Sequence, residues 1–176
     1  MRRLIIGAVL TAAVGTGLTG CGGDDEPKQS PQVAWADKVC TSIGINGQKL
    51  ALPAVDADTQ KYKANIELFL DQVGKRLETM ETGLKSAGAP PVDGAQPTVD
   101  KALAKLTETR ESLGKAREEL KKADVNDKAE LSKELSKLSK VMVPAATYQG
   151  PREDLRADPK LTQAFDTAPA CKASTS

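Results

Sequence analysis

The apolar stripe from Tyr62 to Ala87 limits the possible folds more than any other feature of this sequence. Tyr62, Ile66, Phe69, Val73, Leu77, Met80, Leu84 and Ala87 recur at steps of four, three, four, four, three, four and three. That spacing lines one face of a helix. The two successive fours bring the repeat closer to 3.6 than to 3.5 residues, which predicts a nearly straight helix. Asp58 is placed to cap its start. At 1.5 Å per residue, about 30 residues of helix span about 45 Å. An apolar face of that length has to be buried against other elements. The chain is therefore predicted to be all-α, an antiparallel four-helix bundle with a short-helix return at its C-terminus.

The other helices follow from the same signals. Ser30-Pro31 supplies a hydroxyl cap and a proline in the first turn, and Val33, Ala36, Cys40 and Ile43 follow at helical spacing. Gly44 and Gly47 weaken the far end of this helix, and Pro53 closes the region. Gly88, Pro90, Pro91, Gly94 and Pro97 break the chain after the long helix. The next seam is Ala102, Leu106, Thr109, Leu113, Ala116, Leu120 and Ala123, in strict four-three alternation. Leucine alternates there with small residues, which lets a neighbouring helix approach closely. Leu131, Leu135, Leu138 and Met142 mark a fourth helix, expected to stop before Pro144. The four helices are predicted at 31–50, 58–87, 98–123 and 127–143. Beyond them Tyr148, Gly150 and Pro151 indicate loops, and Asp158-Pro159 starts a short helix bearing Leu161, Ala164 and Phe165.

The N-terminus carries a different message. Arg2 and Arg3 precede a short apolar run from Leu4 to Leu18 that is broken by Gly7, Gly15 and Gly17. This is the layout of a secretory signal, too short for a comfortable membrane span. It ends in Leu18-Thr19-Gly20-Cys21, which resembles the lipobox of bacterial lipoproteins. That resemblance implies a lipid on the Cys21 thiol and cleavage just before it. Residues 1–20 are then the signal peptide, 21–30 a flexible tether, 31–171 the helical domain and 172–176 a frayed tail. The tether is rich in Gly, Asp, Glu and Lys and has little to bury. Asp24, Asp25 and Glu26 are adjacent and lack the spacing of a calcium loop, so they are taken as part of a solvated spacer.

Removing the signal takes Arg2 and Arg3 from the 25 basic residues and leaves 23 against 24 acidic ones. Such a balance lacks the basic excess of a nucleic-acid binder, and none is expected as a partner. With Cys21 lipidated, only Cys40 and Cys171 remain, an even pair in an exported and therefore oxidising setting. A disulfide between them is predicted. In an up-down-up-down bundle the end of the fourth helix returns beside the first, and the tail is long enough to reach Cys40.

There is no histidine, which removes Ser-His-Asp and Cys-His catalysis. The thiols are better used in a disulfide than as zinc or copper ligands, and no glycine loop follows a strand to cradle phosphate. No catalytic residue, metal site or cofactor is expected. Glu111 with Lys115 and Glu118 with Lys122 are expected as surface pairs along one helix. Met80 and Met142 suit gap filling in a core better than an adaptable binding surface. Tyr148 is an aromatic outside any stripe. Either it closes the end of the bundle or it is an exposed contact residue.

Trp35-Ala36-Asp37-Lys38-Val39-Cys40 and Pro169-Ala170-Cys171 resemble the two ends of the mature domain in small secreted lipoproteins of actinobacteria. The resemblance implies an extracytoplasmic helical domain and carries no chemistry. The expectation is a non-enzymatic helical interaction or structural module, held by lipid on the outer face of the cell membrane, with another envelope protein as its partner. The alternative is a carrier or sensor binding a small apolar ligand or lipid in the bundle core. The two differ in volume: a carrier needs an unfilled apolar cavity of several hundred Å³, about 300 or more.

Overall fold

Asp58 does begin the long helix. Its carboxylate accepts the backbone N–H groups of Gln60 and Lys61 at 2.9 and 3.1 Å, two donors that a helix start otherwise leaves unpaired. The computed structural model describes residues 29–44, 50–148 and 150–173, with backbone alone at 141–144, 146, 147 and 173. Its elements are α1 (Pro31–Gly44), α2 (Thr59–Ala87), α3 (Gln96–Lys122), α4 (Lys128–Thr147), α5 (Pro151–Arg156), α6 (Pro159–Thr167) and α7 (Pro169–Ala173). Among the described residues there is no strand, so the all-helical expectation holds.

Several boundaries differ from the sequence reading. Helix α1 ends at Gly44, and Leu50 is already outside any helix. Helix α3 starts at Gln96 with Pro97 in its first turn, where the missing N–H costs nothing. Helix α4 runs through Pro144 to Thr147. A proline there withholds the N–H that would bond the Lys140 carbonyl, a loss of one bond in the next-to-last turn of the helix. The region taken for loops holds α5 and α7 besides the foreseen α6. Gly150, at φ 96°, supplies the left-handed backbone before Pro151 that lets α5 start.

The packing face of α2 corrects the stripe. Leu70 is 2% exposed, whereas Phe69 is only half-buried. With Leu70 in place of Phe69, the seam is Ile66, Leu70, Val73, Leu77, Met80, Leu84 and Ala87. That is strict four-three alternation, the same 3.5-residue spacing as on α3, and the spacing of a coiled-coil pair. On α3, Ala102, Leu106, Leu113, Ala116 and Leu120 are buried as expected, while Thr109 is half-buried. Met80 packs against the core, as a gap filler does.

Helices α2 and α3 form an antiparallel hairpin. Glu81 meets Arg110, Asp71 meets Arg117, and Gln60 donates to the Val125 carbonyl, so the partner moves up α3 as one moves down α2. Helix α1 is antiparallel to the C-terminal part of α2. Trp35 donates to the Gly88 carbonyl at 3.0 Å and Lys38 to that of Ser86 at 2.6 Å. Gly83 faces Ser42, and a Cβ on Gly83 would lie 2.7 Å from that of Ser42, so the helices approach there at backbone distance. Helix α1 has 14 residues against the 29 of α2, so it covers only one end of the hairpin. The short helices α5, α6 and α7 complete the packing around α1, and α4 lies on α3 and more lightly on α2. A closing contact between α1 and α4 is not among the substantial helix pairs.

Candidate functional site

Cys40 on α1 and Cys171 on α7 are joined at an S–S distance of 2.04 Å, with Cα atoms 5.0 Å apart and a sequence separation of 131. The Cα separation lies inside the 4.4–6.8 Å that a disulfide requires. Both cysteines are buried. Around them the tail is docked by ordinary side-chain chemistry. Asp37 accepts the N–H of Ala170 at 2.8 Å, near the start of α7, where a carboxylate suits the helix end. Trp35 meets Phe165 of α6 edge-on, with ring centroids 5.9 Å apart and planes at 89°, a favoured aromatic geometry. Trp35 therefore touches α6 with its ring and the end of α2 with its N–H. Asp37 was not singled out from the sequence, because nothing local indicates a partner 133 residues away.

Cys21, the expected lipid attachment point, lies outside the described residues. Tyr148 is the residue after the last turn of α4 and is half-buried. Lys105 Nζ lies 4.9 Å from the centre of its ring and also pairs with Asp154 at 2.7 Å, so α3 covers the tyrosine from one side. Burial, and then the charge of Asp154, push the Tyr148 phenol far above its usual range, and it stays neutral. Its hydroxyl and Asp154 Oδ2 are enclosed, and neither has a hydrogen bond of standard geometry. Tyr148 thus sits at the corner joining α4 to α5, under the Lys105–Asp154 pair.

The α2–α3 interface carries two ion triads. Glu81, 7% exposed, pairs with Lys85 at 2.6 Å and with Arg110 at 3.2 Å. Asp71 pairs with Lys75 at 2.8 Å and closely with Arg117. The pairs expected along α3 itself, Glu111 with Lys115 and Glu118 with Lys122, are not formed among the described residues; Glu118 instead lies 3.4 Å from Arg117. Position 81 gave a usable signal: it lies four after Leu77 and three before Leu84, so a charge there needs a partner. The Lys85 hydrogen bond holds the Glu81 carboxyl below its ordinary range, against the opposing effect of burial, with the charge of Arg110 assisting. Its folded pKa is therefore below its unfolded one. The stabilisation is present above the unfolded value near 4.5 and is lost as pH falls through the folded value. Glu81→Gln is expected to flatten stability against pH below that point, as read from urea midpoints between acid and neutral pH. An unchanged slope would contradict the assignment.

Two grooves open on the surface. One, of about 1280 Å³, runs along α3 between the end of α4 and α5, with Lys101, Lys105, Glu108, Lys140, Tyr148 and Asp154 in its walls. The other, of about 480 Å³, lies between the start of α2 and α4, with Val55, Tyr62, Leu131 and Leu135 among hydroxyls. Neither is an enclosed cavity in the core. Among the described residues no cluster of His, Cys, Asp and Glu could hold a metal.

Comparison with protein-family models, with curated proteins and with solved structures found no match to this chain.

Proposed function

We propose that this chain is an exported, lipid-anchored helical module that acts by contact on the extracytoplasmic face of the cell membrane, without catalysis. The observation that supports it most is the Cys40–Cys171 pair, since such bonds persist in oxidising compartments. The pair also lies where the tether enters the domain, ten residues after Ser30. Tension on a lipid attached at Cys21 reaches α1 first, and the bond links α1 to the other end of the chain. The scaffold we propose is an antiparallel four-helix bundle in which α5, α6 and α7, rather than α4, close on α1. Among the described residues no helix is long and apolar enough to cross a membrane. The anchor we propose is a lipid on Cys21. The partner we propose is another protein of the envelope.

The carrier reading has one observation behind it: the apolar groove of about 480 Å³ is in the size range of small-ligand sites. It stands second because the groove is open on the surface and is shared with hydroxyl groups.

Cys21→Ser is the test of the anchor. Each buried CH₂ contributes about 0.8 kcal/mol, and two or more acyl chains hold a protein stably. The expected result is release into the medium or retention of an unprocessed precursor. A processed Cys21→Ser chain that still fractionates with membranes would rule the lipid anchor out.

A further inference from the structure

The Cys40–Cys171 pair is closed off from solvent. Each cysteine is 2% exposed, and Ala36 and Val39 on α1 and Ala168 just before α7 are fully buried. Cys171 Sγ lies 3.4 Å from the Ala36 carbonyl. Thiol–disulfide exchange needs an attacking thiolate to meet a sulfur atom. Any step that involves an outside disulfide therefore takes place while α7 is off α1.

The two cysteines fare differently in that open state. Helix α7 has five residues and α6 nine, and helices shorter than about 12 residues hold poorly without tertiary contacts. Off the core, Cys171 lies in chain that can extend into an enzyme's active site. Helix α1 keeps its place on α2 without the tail. Trp35 donates to the Gly88 carbonyl and Lys38 to that of Ser86, and Gly83 meets Ser42 at backbone distance. Cys40 thus stays within a packed helix of 14 residues. In an unfolded chain, thiols at a sequence separation of 131 seldom meet. Docking brings them together, and α1 supplies the guides. Asp37 accepts the N–H of Ala170, next to Cys171, at 2.8 Å, and Trp35 receives Phe165 edge-on.

We propose that the tail is a latch closed in a fixed order by a thiol–disulfide oxidase: Cys171 takes the enzyme, and docking then delivers it to Cys40. In the first step the Cys171 thiol loses its proton and attacks the enzyme's disulfide. An S–S bond forms to Cys171, and one enzyme sulfur leaves as a thiolate. In the second step Cys40 loses its proton, attacks the Cys171 sulfur and expels the other enzyme thiolate. Two electrons and two protons pass from the chain to the enzyme, which ends as a dithiol. Asp37 is a positioning residue for the second step. The proposal rests on the reading of the chain as exported and is independent of its lipid.

The test uses the full chain with Cys21→Ser, which leaves just these two thiols whether or not Cys21 is a lipid site, purified reduced in detergent. The probe is a thioredoxin-fold oxidase with a single active-site cysteine carrying thionitrobenzoate as leaving group. Release of thionitrobenzoate reports the first step, and release of the enzyme the second. Acid quenching and peptide mapping of this chain are expected to find the enzyme on Cys171 about tenfold or more over Cys40. Adding Cys40→Ser should hold the enzyme on Cys171 without release, and adding Cys171→Ser instead should slow thionitrobenzoate release about tenfold relative to it. Asp37→Ala should make the first step no slower and lengthen the life of the mixed disulfide about tenfold. Enzyme found mainly on Cys40, equal rates from the two single-thiol chains, or an Asp37→Ala chain that frees the enzyme as fast as its parent would overturn the latch. Each of these leaves the anchored module standing, since membrane release of Cys21→Ser is read separately.

Discussion

Replacing Cys40 and Cys171 together by serine is expected to lower the stability of the domain by about 5 kcal/mol. The bond closes a loop with a sequence separation of 131 residues, and in the chain-entropy model closing a loop of that length restricts the unfolded state by about that much. For a domain of this size the loss corresponds to a fall of roughly 15 °C in the thermal midpoint. Part of the tail's hold survives, since Leu161, Ala164, Phe165 and Ala168 are buried without help from the bond. The variant is therefore expected to open from its C-terminus, with amides of α6 and α7 exchanging hydrogen ahead of those of α2 and α3. Thermal unfolding followed by circular dichroism, with hydrogen exchange at the tail, checks both parts. A double-serine variant that melts with the parent would show that the bond adds nothing to the fold.

Phe165→Ala is the second large effect, expected to cost about 3–5 kcal/mol. Phe165 is 2% exposed and packs edge-on against Trp35, a geometry that adds about 0.5–1.5 kcal/mol beyond burial. Trp35 is the one tryptophan of the chain, so its fluorescence reports on this corner alone. Truncating Phe165 should shift the emission to the red in the folded protein, because the ring loses its cover. The chain's other phenylalanine, Phe69, is half-buried on α2, and Phe69→Ala should cost less than about half as much. Equal losses from the two, or an unmoved Trp35 spectrum, would mean that α6 does not pack on α1 as described.

What the sequence by itself determined was whatever depends on near neighbours. Asp58 and Asp158 start their helices because the Asp58 carboxylate accepts the N–H groups two and three residues on, and that of Asp158 the N–H two residues on. The proline and glycine cluster at 88–97 separates α2 from α3 for reasons internal to those residues. The leucine seam of α3 is a periodicity, and pairing of Cys40 with Cys171 follows from counting the cysteines that lipidation would leave. Tertiary structure decided the rest. Whether Phe69 or Leu70 joins the α2 seam depends on where α3 lies, since the two positions sit side by side and both are apolar. Glu81 is buried because Arg110 comes from another helix to meet it. Helix α4 continues past Pro144 although the local rule favours a stop. Helices α5, α6 and α7, rather than α4, pack around α1, because α1 covers one end of the hairpin and the nearby tail has Leu155, Leu161 and Phe165 to bury there. Caps, breaks and periods are set over a few residues and are legible in order. The choice between adjacent apolar positions, and the partner of a buried charge, is set by burial against chain that is distant in sequence, and that exists only once the helices have packed.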